Sequence, residues 1–233
     1  MDPADAPPAD VQAAYAQLSG PGISLAGKVV LLAPTAPVPE RAAAVHALIT
    51  AGRADWLAVV VQAGEEKAVV DLLCLCTSYA LQATAEEATL AVGVVRSAVA
   101  ALATRGSKVE ALLRSMPASF IQAACDCAAQ PAAGSMLVLW LEVSGEHKRA
   151  LHERIFQNRA LALNAARAGN LDVLKELDFG GYDVRRKPGA GGVFACCSPR
   201  PADVAKRRGH SECVAFFENL KNYPPPLVLG SNK

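Results

Sequence analysis

Aromatic residues are scarce in this chain, at 5% of 233 residues. Few of them lie near the basic residues, which argues against a stacking platform for single-stranded nucleic acid. The usual signs of an enzyme are missing as well. There is no paired His-Glu-x-x-His, no Gly-x-Ser-x-Gly elbow, no dinucleotide fingerprint and no acid pair. Met1 is followed by Asp-Pro-Ala-Asp, which lacks the basic start and apolar run of a secretory leader. No window reads as apolar for the roughly 18 residues that a membrane span needs. The nearest, Ala88 to Ala103, contains Arg96 and reads as a core helix. Strand and helix do not alternate along the chain, which excludes an ordinary doubly wound sheet.

What is present is alanine and aliphatic residues. Apolar types make up 52% of the chain, enough to bury a core. Alanine forms helix best and loses no rotamer entropy in doing so. Residues 1–38 read as a flexible segment with one short helix over Asp10 to Leu18 and an extended run over Lys28 to Leu32. From Pro39 the pattern becomes helical, with expected helices over Pro39 to Ala51, Ala54 to Ala63 and Glu65 to Leu81. Thr84 with Glu87 spells a capping box, followed by apolar residues at Leu90, Val94, Ala98 and Leu102 and a stop at Gly106. Ser107 with Glu110 spells a second box. Pro117 opens a helix to about Ala129, and two more are expected over Ser135 to Val143 and Glu146 to Gln157.

Two later segments align on each other. Ala165 and Ala205 stand four before Gly169 and Gly209, and apolar blocks begin four after, with Val173 and Leu174 in one copy and Val214 and Phe217 in the other. The glycines suit the tight turn between antiparallel helices, where φ turns positive. Here the chain resembles the ankyrin repeat family. Pro201, Asp203, Ala205, Gly209, His210 and Val214 match its T-P-L-H-x-A…G-H…V-V pattern. Arg200 and Ala202 depart from it, as do Ala160 and Leu161 in the first copy. Gly169 and Gly209 are 40 residues apart (209 − 169), whereas the repeat is about 33. The excess fits an insertion at Lys187 to Gly192, in the finger that joins repeats.

The resemblance implies an all-α fold of stacked helix-turn-helix pairs, ankyrin-like or α-solenoid. Its repeats would span 158–222 and its Pro-rich tail 223–233. Two repeats are too few to stand alone. Residues 39–157 must therefore supply neighbours, either as degenerate repeats or as a helical bundle. Ala51 to Gly64 and Ala132 to Val143 echo the same turn-then-helix rhythm.

Charge is segregated even though the total is only +1. Between residues 185 and 208 stand Arg185, Arg186, Lys187, Arg200, Lys206, Arg207 and Arg208, opposed by Asp203 alone. With Phe194, these are the candidate partner-binding residues, and they suit an acidic protein surface. Pro224, Pro225 and Pro226 enforce an extended tail. With Leu227 and Leu229, that tail could dock in a partner's groove or fold back on the last repeat.

Seven cysteines, including Cys74/Cys76 and Cys125/Cys127, read as buried thiols in a reducing compartment. Cys-x-Cys on a helix is a poor metal chelate, so no metal and no cofactor are expected. Cys196 and Cys197 lie in the finger and are the more reactive candidates. Gly22 to Lys28 fits half of a phosphate loop, but Val29 stands where Ser or Thr should hold the metal.

The expected function is a non-catalytic interaction subunit or adaptor of a larger intracellular hetero-complex, cytoplasmic or cytoskeletal. A ciliary setting follows from family analogy alone. Membrane is not expected as a partner. Nucleic acid, held by the basic stretch 185–208, is the alternative.

Overall fold

The computed structural model describes residues 38–50, 57, 66–104, 106–188 and 199–222. Among them every regular element is helical. The order is α1 (Val38–Thr50), α2 (Glu66–Ala80), α3 (Ala85–Thr104), α4 (Val109–Ser115), α5 (Ala118–Asp126), a 3-10 turn (Cys127–Ala129), α6 (Gly134–Glu146), α7 (His152–Phe156), α8 (Leu161–Ala168), α9 (Leu171–Phe179), α10 (Pro201–Arg208) and α11 (Ser211–Leu220). The chain divides into two compact units, Met1–Val109 and Glu110–Lys233.

In the first unit α2 packs on both α1 and α3. The expected Thr84 box forms. Thr84 N donates to Glu87 Oε2 at 2.9 Å and Glu87 N donates to Thr84 Oγ1 at 3.3 Å. This satisfies two of the amides that a helix start leaves bare. By length and composition alone, α3 is apolar enough to cross a membrane, which corrects the reading that no window qualifies. In the fold, however, Ala88, Ala91, Val94, Val95, Ala98, Val99 and Leu102 form a buried stripe, and α1 and α2 cover it. Arg41 is buried and donates to Asp71 Oδ2 at 2.6 Å, tying α1 to α2. Of the expected helix over 54–63 only Leu57 is described; it is helical and buried.

The second unit is built from helix pairs. The 3-10 turn and α10 both pack on α8, and α6 and α11 both pack on α9. One row therefore runs from the 3-10 turn through α8 to α10, and the other from α6 through α9 to α11. The first pair is buried nearly all round. Met136, Leu137, Leu139, Trp140 and Leu141 have at most 1% exposure, and Phe120 meets Trp140 edge-on at 4.8 Å. The last pair is different: Asp203, Lys206, Arg207 and Arg208 on α10 and Ser211, Glu212, Glu218 and Asn219 on α11 are exposed.

Two expectations in this unit fail. The helix expected over Glu146 to Gln157 is broken, because Lys148 and Arg149 both take φ 55°, the left-handed region. Buried Ser144 Oγ accepts from Leu151 N at 2.7 Å and folds the chain back, so α7 is only five residues long. The second capping box is not made either. Glu110 reaches Arg114 Nη2 and Lys148 Nζ, each at 3.1 Å, instead of the amide of Ser107. Those cations hold its carboxyl below the usual range, chiefly through hydrogen bonds from Lys148 and then Arg114.

Candidate functional site

The two aligned turns share one geometry. Gly169 has φ 76° and ψ 18°, and Gly209 has φ 78° and ψ 18°. Each lies in the left-handed region that glycine enters without a Cβ clash. The residues that follow match as well, Asn170 at −77°, 79° and His210 at −81°, 79°. Asn170 N donates to Ala165 O at 2.9 Å, and His210 N donates to Ala205 O at 3.0 Å. The spacing Ala-x-x-x-Gly thus writes one helix stop twice.

Each turn also hooks the helix pair before it. Asn170 Nδ2 donates to Ala128 O at 3.0 Å and Gln130 O at 3.1 Å. His210 Nε2 lies 3.0 Å from Arg167 O. That carbonyl can only accept, so Nε2 carries the proton. Glycines make the room. A Cβ on Gly134 would lie 2.9 Å from Asn170 Cγ, and one on Gly169 would lie 2.7 Å from His210 Nδ1. The ring of His210, which matches the repeat pattern, bonds across to the preceding pair and not within its own turn. Asn170 was not singled out in the sequence. Its signal was its place directly after Gly169, matching His210 after Gly209.

On the inner face of the second helices, Val173, Leu174 and Leu177 are buried in one copy and Cys213 and Phe217 in the other. Val214, expected there, is only half-buried. Cys213, four after Gly209, takes the place that Val173 has after Gly169.

The structure separates the basic candidates. Arg200, Lys206, Arg207 and Arg208 are exposed on α10 or at its start. Three of them stand in the last turn, where positive charge also offsets the negative helix end. Arg207 Nε donates to Asp203 O at 3.4 Å. Arg186 is exposed and Lys187 half-buried. Arg185 is engaged inside the fold. Its Nη1 donates to Leu220 O at 3.2 Å, at the end of α11, and its Nε lies 3.7 Å from Asp183 Oδ1. Phe194, Cys196, Cys197, Pro224, Pro225, Pro226, Leu227 and Leu229 lie outside the described residues, as do Gly22 to Lys28.

The opposite row carries the other sign. Glu142 and Glu146 lie on α6, Asp172, Glu176 and Asp178 on α9, and Glu212 and Glu218 on α11, against Lys175 alone on those helices. Burial first, and then the charge of Glu142, raises the Glu176 carboxyl above its usual range. Phe179 ends α9 with 84% exposure.

Burial is the largest cause holding the thiols protonated, at about 11 for Cys74 and Cys125 and about 12 for Cys76 and Cys127. Such thiols are weak nucleophiles and weak metal ligands. Among the described residues no three His, Cys, Asp or Glu side chains gather as a metal group would. Comparison with family models, curated proteins and solved structures gives no match to this chain.

Proposed function

We propose that this protein is a non-catalytic interaction subunit or adaptor that binds an acidic protein surface through ankyrin-like helix pairs, with the exposed basic side of α10 as its contact. The observation that carries this reading is the outward row Arg200, Lys206, Arg207 and Arg208, standing on a helix pair hooked by His210 to the pair before it. Support for the ankyrin-like part comes from the repeated turn at Gly169 and Gly209 and from the sequence run Pro201 to His210. Proteins with such repeats serve as adaptors and as subunits of large assemblies, cytoskeletal and ciliary ones included. A cytoplasmic or cytoskeletal place is proposed on that analogy. Arg186 and Lys187 extend the contact into the finger, whereas Arg185 acts by holding the end of α11.

The test is a charge reversal of Lys206, Arg207 and Arg208 to Glu in the full chain. Quantitative mass spectrometry would compare what co-purifies with the variant and with wild type. Acidic proteins retained by wild type and lost by the variant, with circular dichroism unchanged, are expected. An identical set of co-purifying proteins would end the proposal. A phosphate backbone would also suit the basic row, but α10 has no aromatic residue to stack a base. Retention of nucleic acid instead of protein, falling steeply with salt, would favour that second reading.

A further inference from the structure

The imidazole of His152 is buried, with 6% exposure. Its Nε2 lies 3.2 Å from Leu141 O on α6. A carbonyl only accepts, so Nε2 is the protonated nitrogen. The other nitrogen, Nδ1, is buried without a hydrogen-bond partner. The ring stacks on Phe156 at 5.1 Å and 10°, and Phe156 in turn meets Tyr182 edge-on at 5.3 Å. Gly180 lies close to both rings, and an added Cβ there would lie 3.0 Å from Phe156 Cζ and 3.6 Å from His152 Cε1. The neutral ring therefore fits, with Nδ1 as an idle lone pair. A second proton would turn Nδ1 into a buried donor with nothing to accept it, a costly arrangement.

We propose that His152 is an acid-sensitive latch, which holds α7 between α6 and the end of α9 while neutral and loosens that junction when protonated at Nδ1.

Burial, more than the charges on neighbouring elements, decides how the latch responds. Arg149, in the turn before α7, opposes a second proton. Asp126 ends α5, Glu142 follows Leu141 on α6, Glu153 follows His152 on α7, and Glu176 and Asp178 precede Gly180 on α9. Burial outweighs the hydrogen bond to Leu141 O and, together with the charge of Arg149, lowers the pKa of His152 below its ordinary 6.5. The unfolded chain therefore takes up the proton first. Stability from this group is complete above about 6.5 and falls as the pH drops below that, until the folded ring itself titrates. Glu176 and Asp178 have raised values, chiefly through burial, and act in the opposite sense on protonation near the carboxylate range. The window just below pH 6.5 thus separates the histidine from these carboxylates, and the His152 variants separate it from the other histidines. Because α9 also packs on α8 and α11, loosening its end weakens the whole second unit.

The experiment follows urea unfolding of the full chain at several pH values between 7.5 and 5.5, with Trp140 emission as the readout in a Trp56→Phe background. Wild type is compared with His152→Phe, which keeps the ring contact, and His152→Gln, which keeps a neutral donor. The folding constant of wild type is expected to fall by up to about tenfold per pH unit below 6.5 relative to either variant, the limit for uptake of one proton. Parallel pH profiles would overturn the proposal. Nitrogen-15 spectra of the histidine rings give an independent reading should His152→Phe fail to fold. They are expected to show the Nε2–H tautomer of His152 at neutral pH and titration below the ordinary value. A ring titrating at the ordinary value would also overturn it.

Discussion

Replacing Gly169 by Ala, and Gly209 by Ala in parallel, separates the two tasks that these turns perform. Both glycines have nearly the same dihedrals, so both substitutions force alanine into the left-handed region at a cost of about 1–2 kcal/mol. A new Cβ at 209 meets nothing within 4 Å, and the backbone penalty should be the whole cost. At 169 the Cβ would stand 2.7 Å from His210 Nδ1, closer than atoms can remain, so the ring must move. Its 3.0 Å contact with Arg167 O is then lost, which adds about 1 kcal/mol for a typical hydrogen bond. The expected losses are about 2–3 kcal/mol for Gly169→Ala and about 1–2 kcal/mol for Gly209→Ala. Urea titration followed by circular dichroism and Trp140 emission resolves this as a midpoint gap of about 0.5–1 M. Repeating Gly169→Ala in a His210→Ala background removes the collision and should return its cost to that of Gly209→Ala. Equal costs in the wild-type background, or no coupling in the double mutant, would refute the idea that His210 hooks one pair to the next.

Asp71→Ala leaves Arg41 buried with its partner gone. The Asp71 side chain keeps 33% exposure, so the expected loss falls at or below the about 3 kcal/mol typical of a broken buried pair. Thermal unfolding measures this, and a shift indistinguishable from wild type would show that the pair carries no stability. At pH 8 a thiol with a value near 11, as at Cys74 and Cys125, is only about one part in a thousand ionised. Titration of native protein with a disulfide reagent should therefore show no more than two fast thiols of the seven, with the remainder reacting only in urea. Fast modification of Cys76 or Cys127, located by peptide mapping, would contradict their burial.

Features that depend on a few consecutive residues were legible in the sequence. Gly106, Gly169 and Gly209 all take positive φ, because only a residue without Cβ enters that region freely. Thr84 and Glu87 meet because a capping box lies within one turn. Features that depend on residues far along the chain were not legible. Glu110 abandons Ser107 for Lys148, which no local pattern could announce. The break at Lys148 and Arg149 carries neither glycine nor proline, and it is stabilised by Ser144 reaching Leu151. Asn170 and His152 look like ordinary polar residues until the carbonyls of Gln130 and Leu141 are brought beside them. On the binding face, the basic cluster was visible as composition. That Arg185 turns inward to Leu220 while Arg207 and Arg208 turn outward depends on the placement of α11, which composition does not encode.

The charged last pair has a consequence for how such a protein can change length. A duplicated pair inserted ahead of Arg200 would find apolar neighbours on both sides and could use the same Asn or His hook. A copy appended after Asn222 would have to lay its apolar side against the exposed charges of α10 and α11, stripping them of water. Polar terminal pairs keep stacked helices from adding on indefinitely. A helix pair laid against the charged side of α10 and α11 would therefore be disfavoured by the loss of water around those groups.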